Sequence, residues 1–221
     1  PSLTAGFGQP VIVDNRSSSG FILAEMLLRA PPDGYTMLMQ ASSFWLAPLL
    51  QSAPYDAVRD FTPVMLATNA PLFLYVHPSV PVKTVKEFIA LVKAKPGELN
   101  YGSAGSGATN YLAMELFKSM AGVDIVRIPY KGTAQAAVGL LANQVQAMFG
   151  SAAAGMLNVK SGKLRVLGVA SAQPSALAPE VPTLSTSGVP GYEAASMSGI
   201  YAPGKTPAPV INRLNQEFVK V

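Results

Sequence analysis

Between residues 84 and 170 short β-branched or aromatic runs alternate with amphipathic stretches, and this alternation restricts the fold more than any other feature. Strands are expected at 99–102, 124–128, 145–149 and 164–170, with helices over 85–94, from Thr109 and from Thr133. Repetition of this kind closes right-handed βαβ units onto a parallel sheet, so the chain reads as α/β. Thr84 with Glu87 three residues on spells a capping box for helix 85–94, which Pro96-Gly97 ends. The next helix places Leu112, Leu116, Phe117 and Met120 on one face. The one after it does the same with Ala134, Ala137, Val138 and Leu141.

On the N-terminal side, residues 11–13 read as a short buried strand and 15–20 as a polar turn. Residues 21–29 read as a helix apolar on nearly every side, hence buried. Pro31-Pro32-Asp33-Gly34 stops it, and 35–40 form the next strand. Proline-rich connections lead through 61–67 to a strand at 72–76. Toward the C-terminus, 173–191 is a Pro- and Ser-rich loop and 195–202 a last strand. Pro209 starts a helix with Val210, Leu214 and Phe218 inward.

Composition removes several functions. Of 221 residues 49% are apolar and 13% charged, which suits a packed core and argues against disorder. The net charge of +4 comes from scattered basic residues with no basic stripe and no interleaved aromatics, so no nucleic acid partner is expected. The chain has no cysteine, which excludes zinc–thiolate sites, thiol catalysis and disulfides. No run reaches the roughly 18 apolar residues of a membrane span. The single histidine, His77, precedes Pro78 and reads as a turn residue. With no nucleophile–base pair, acid pair or metal set in view, neither enzymatic activity nor a cofactor or metal is expected.

The stretch that looks like chemistry is 100–109, reading NYGSAGSGAT. Three glycines and two serines leave a strand and open directly onto a helix, aiming N–H groups and hydroxyls at one point. The helix dipole adds roughly 0.3–2 kcal/mol toward a bound anion. It is not a P-loop, because no Lys-Ser or Lys-Thr follows the last glycine, and its spacing is wrong for a dinucleotide fingerprint. A second corner, Pro129-Tyr130-Lys131-Gly132-Thr133, repeats the arrangement one strand later. Two such corners look like a crevice along the carboxyl ends of a parallel sheet.

Several strings in fixed order carry a resemblance. They are Gly8-Gln9-Pro10-Val11-Ile12-Val13-Asp14-Asn15-Arg16, Pro32-Asp33-Gly34-Tyr35-Thr36, Pro54-Tyr55-Asp56, Asp60-Phe61-Thr62-Pro63-Val64, the 100–109 loop, Glu115-Leu116-Phe117-Lys118, Pro129-Tyr130-Lys131-Gly132, Gly162-Lys163-Leu164-Arg165 and Val181-Pro182-Thr183. Together they resemble the substrate-binding proteins of tripartite tricarboxylate transporters, the Bug family, over nearly the whole chain. The resemblance implies a type II periplasmic-binding-protein fold: two α/β lobes joined by two crossover strands, a Venus flytrap. Lobe one is expected at 1–73 plus 197–221 and lobe two at 74–196. It implies a periplasmic, monomeric solute receptor that captures an organic carboxylate and hands it to the membrane components of a tripartite transporter, without itself entering the membrane.

Carried over residue by residue, the carboxylate is expected at Ser103, Ala104, Gly105, Ser106 and Thr109, at Tyr130, Lys131 and Gly132, and at Ser42 and Ser43 across the cleft, with Phe44 lining it. Where the family often has an Asp that reads an amino or hydroxyl group, this chain has Gly150, so amino-acid ligands are not expected. The resemblance also implies that the family's first strand and C-terminal helices lie outside residues 1–221, and that Ser17-Ser18-Ser19-Gly20 replaces a glycine-rich run. Two other readings compete: the effector-sensing domain of a regulator, and an enzyme acting on a carboxylate in the same cleft.

Overall fold

The computed structural model describes residues 2–15 and 20–221, and these divide into two compact units: residues up to Asn69 with Met197–Val221, and Ala70–Ser196. Each is an α/β unit with its own sheet and core. The polar turn expected over 15–20, with its serine run, lies largely outside the described residues.

The first unit contains α1 (Ser2–Phe7), α2 (Gly20–Leu28), β1 (Leu38–Ala41), α3 (Ser43–Leu50) and α8 (Ala208–Val219). Its three-stranded sheet has the order β1-β8-β2, where β2 is Phe61–Pro71 and β8 is Ala195–Pro203, both strands running on across the division between units. β1 pairs antiparallel with β8, Leu38 opposite Tyr201 and Ala41 opposite Ser198. An aromatic cluster fills the core: Phe44 stacks on Tyr55 at 5.3 Å and meets Phe61 edge-on at 4.9 Å.

Two expectations fail here, and one helix was not foreseen. Residues 11–13 form no strand, and Ile12 is 86% exposed. Among the described residues β1 pairs only with β8, and three residues without a ladder partner do not hold as a strand. Helix α2 is buried on one side only, at Ala24 and Leu27, while Ile22 and Met26 face outward. Helix α3 was not legible because Pro48 sits inside it, where its missing N–H normally argues against helix.

The second unit contains β3 (Phe73–Val76), α4 (Val85–Ala94), β4 (Asn100–Ser103), α5 (Thr109–Ala121), β5 (Val126–Pro129), α6 (Thr133–Leu141), β6 (Ala147–Gly150), α7 (Ala152–Lys160) and β7 (Arg165–Val169). Its sheet has the order β5-β4-β6-β3-β7. β4 is parallel to both β5 and β6, whereas β3 runs antiparallel to β6 and to β7, so the sheet is mixed rather than purely parallel. All four residues of β3 are buried because both faces are covered: Leu74 and Val76 belong to the core under α4 and α5, Phe73 and Tyr75 to the core under α6.

Helix α4 has the expected limits. Thr84 Oγ1 accepts from Glu87 N at 3.2 Å, while Glu87 Oε2 accepts from Lys83 N at 2.6 Å, one residue before the usual partner. Helices α5 and α6 bury faces rotated from those expected, which share only Phe117 and Ala137 with the expectation. α5 turns Asn110, Ala113, Met114 and Phe117 inward and leaves Leu116 and Met120 exposed; α6 buries Ala136, Ala137, Gly139 and Leu140 and exposes Val138. Each helix carries more than one apolar stripe, and on α6 the buried one is made mostly of small residues, Ala136, Ala137 and Gly139.

Candidate functional site

Three adjacent parallel strands, β5, β4 and β6, end at one edge of the second unit, and each is followed there by a helix start. Register fixes the neighbours: Ser103 at the end of β4 lies opposite Pro129 at the end of β5. The N-terminal residues Ala108 of α5, Gly132 of α6 and Ser151 of α7 make no side-chain capping bond, in contrast to Thr84 of α4. Three helix starts with uncapped first-turn N–H groups at one strand edge form a positive, donor-rich rim.

The Gly/Ser loop is built from both sides of Ala104. Its N–H donates to Asn110 Oδ1 at 3.3 Å, and its carbonyl accepts from Arg127 Nη2 at 2.8 Å. Arg127 also donates from Nε to Ser103 Oγ at 2.9 Å and from Nη1 to Ser106 Oγ at 3.1 Å, and its guanidinium lies 4.2 Å from the centre of the Tyr111 ring. The tight turn beyond is closed by Ala108 N donating to Gly105 O at 3.0 Å, with Gly107 at φ +87°. Gly105 and Ser106 are exposed at the tip, and among the described residues their backbone N–H groups meet no acceptor.

Ser103, Ala104, Gly105, Ser106 and Thr109 are therefore brought together with Lys131, Gly132 and Gly150 at one edge. Their roles differ from the expected ones. Ser103 is fully buried with its hydroxyl held by Arg127, so it is part of the scaffold. Tyr130 does not reach over the rim: its ring lies between Gly102 and Gly139, and its hydroxyl donates to Gln144 Oε1 at 3.3 Å, beyond the far end of α6. Lys131 is exposed, and Gly132 caps α6 in an extended conformation. Gly150 is buried at the end of β6. A Cβ there would meet Met148 Cε at 3.2 Å and Ala154 Cβ at 3.3 Å.

Ser42, Ser43 and Phe44 lie in the first unit. Ser42 is buried, its hydroxyl donating to Met197 O at 3.1 Å and accepting from Met197 N at 3.2 Å, which ties the start of α3 to β8. Ser43 opens α3 half-buried. Phe44 is only 1% exposed in the aromatic core, so its ring has no face to offer a solute.

Arg127 is the residue sequence reasoning passed over. Its signal was strand parity: Tyr101 is its register partner on β4, and Ser103, two residues on, shares that face and falls within reach of a long side chain. His77 stands at the opposite edge, since β3 is antiparallel. Its N–H donates to Gln146 O, and its Nδ1 lies 2.8 Å from Ser79 Oγ. No group of three or more His, Cys, Asp or Glu among the described residues is placed to hold a metal, and no described helix is long and apolar enough to cross a membrane.

Two α/β units of this construction are the architecture of periplasmic solute-binding proteins, a likeness that extends at the level of fold to an arginine-, lysine- and histidine-binding protein from Geobacillus stearothermophilus (TM-score 0.57, 13% identity, covering 100% of this chain and 76% of that one). More specifically, the chain belongs to the tripartite tricarboxylate transporter receptor family, whose model matches residues 2–221. It is 34% identical over 221 residues to the UPF0065 protein of the tcbD–tcbE intergenic region of Pseudomonas sp. strain P51, covering 99% of this chain and 66% of that one. The solved structure of Rhodopseudomonas palustris Rpa4515 with adipate is similar at TM-score 0.89 and 35% identity, covering 98% of this chain and 74% of that one. MatC of the same organism, with bound malate, is similar at TM-score 0.88 and 28% identity, covering 99% and 76%. The chain spans about two thirds of the length of the curated relatives it matches.

Proposed function

We propose that this chain is a periplasmic solute receptor that binds an organic carboxylate and passes it to the membrane components of a tripartite transporter. The observation that carries the reading is the rim of three uncapped helix starts at the ends of β4, β5 and β6, with the exposed Gly105 and Ser106 amides at its tip. Backbone donors at helix N-termini suit a carboxylate without any reacting group, as a receptor requires. The reading is supported by the similarity to proteins whose structures hold adipate and malate. The sole histidine, the commonest general base, stands at the other edge of the sheet from this rim.

Titration calorimetry of the intact protein with adipate and with malate tests the proposal. Saturable binding of either, with the carboxylate recovered unchanged, is the expected result. Consumption of the carboxylate, or absence of heat with both and with related dicarboxylates, overturns it.

A further inference from the structure

We propose that Arg127 is the residue that gives the rim its shape and its charge preference, acting on a bound carboxylate through the loop that it holds. The inference rests on the carboxylate reading above and adds to it the residue responsible. All three nitrogen positions of the guanidinium are spent within the protein, on Ser103 Oγ, Ser106 Oγ and the Ala104 carbonyl. Three of its five N–H donors are engaged in this way, one on each nitrogen, which fixes the plane of the group against the loop.

Its hold is specific. Ala104 is gripped through its carbonyl by Arg127 and through its N–H by Asn110, so the peptide on either side of it cannot rotate. With Ala104 held and Ala108 bonded back to Gly105, the chain between them makes a tight turn whose exposed Gly105 and Ser106 amides meet no acceptor among the described residues. The guanidinium lies over the ring of Tyr111, in the first turn of α5, so the same side chain sets the loop against the helix start. Lysine cannot reproduce this, since a point charge has neither the fork nor the flat face.

The charge itself is unanswered. Arg127 is half-buried, and among the described residues no carboxylate forms an ion pair with it, whereas Lys118, Arg213 and Lys220 all have one. A cation set behind a ring of amides and lacking a counter-ion is completed by an anion on the other side of the loop. The bound carboxylate fills that place.

The test uses the intact protein and the variants Arg127→Met and Arg127→Lys, with adipate as the probe. Amide exchange at Ala104 and Ala108, measured by NMR without ligand, reads the loop directly; calorimetry reads affinity. In Arg127→Met, protection at both amides falls at least tenfold and adipate affinity at least tenfold, while amides of β3 keep their protection. Arg127→Lys, which keeps the charge and loses the fork, stays within threefold of the Met variant in protection and binds adipate more tightly than the Met variant but more weakly than the parent. Full affinity in Arg127→Lys, or unchanged protection at Ala104 and Ala108 in Arg127→Met, overturns the proposal. A parent protein that binds neither adipate, malate nor related dicarboxylates refutes the carboxylate reading instead, and the ligand-free exchange still decides whether Arg127 holds the loop.

Discussion

Tyr130 lies across Gly139 so closely that a Cβ on the glycine would collide with the phenol oxygen and its ring carbon, while the other side of the ring rests on Gly102. The tyrosine thus fills the space between β4 and α6, and its hydroxyl points to Gln144. In an open helix interior Gly→Ala gains about 1 kcal/mol. Here the sign reverses: Gly139→Ala should destabilise by roughly 1–3 kcal/mol through overpacking. Tyr130→Phe removes only one long hydrogen bond, so its melting point should stay within a few degrees of the parent, with adipate affinity unchanged to within twofold. Thermal melts and calorimetry on the two variants separate packing from recognition.

The loop glycines are predicted to separate folding from binding. A Cβ at Gly105 meets nothing within 4 Å, and its φ is not in the left-handed region. Gly105→Val should leave the melt unchanged and lower adipate affinity at least tenfold by blocking approach to the neighbouring amides. Gly107, at φ +87°, behaves oppositely: Gly107→Ala should cost about 1 kcal/mol in stability because the backbone conformation disfavours an L side chain. Equal affinity in Gly105→Val and the parent would remove the loop tip from the site.

Gly150 immediately precedes Ser151, the N-cap of α7. Gly150→Asp adds a carboxylate one residue before that N-cap, at a buried position where its Cβ meets Met148 and Ala154 and the neighbours must give by a few tenths of an ångström. A like charge within roughly 6–8 Å of a bound carboxylate costs about 2–3 kcal/mol at an effective dielectric near 20. Adipate affinity should therefore fall at least tenfold. Calorimetry, with a melt as control for folding, checks this; undiminished adipate binding by a folded variant would place the anion elsewhere.

Acid should loosen the first unit through Glu217. Its carboxyl is held below the usual range first by the hydrogen bond from Lys220 and also by the charge of Arg213, at 2.9 and 3.2 Å. A carboxyl with a lowered folded pKa contributes stability that is present above its ordinary pKa, near 4.5, and is lost as pH falls through the folded value. Melting points recorded from pH 6 to pH 3 should drop less steeply in Glu217→Gln than in the parent. Parallel pH profiles would show that Glu217 does not contribute.

Much of this fold is legible in the chain itself, because it depends on local chemistry. The Thr84–Glu87 pair starts α4 where the residues say it must, and the turn from β4 into α5 is marked by its glycines, of which Gly107 at φ +87° accepts few other residues. Strand–helix alternation was enough for the α/β class and for two corners at the carboxyl ends of neighbouring strands. What the chain alone did not decide is which side chains face the rim. The choice between two apolar stripes on α5 and α6 was made by the sheet they pack on. The same packing turned Tyr130 inward onto Gly102 and Gly139. Ser42 and Ser103 look like solute donors in sequence, yet each hydroxyl is spent on a residue distant in the chain, Met197 and Arg127. A buried hydroxyl must be bonded to something, and only the tertiary structure determines what stands within 3 Å of it.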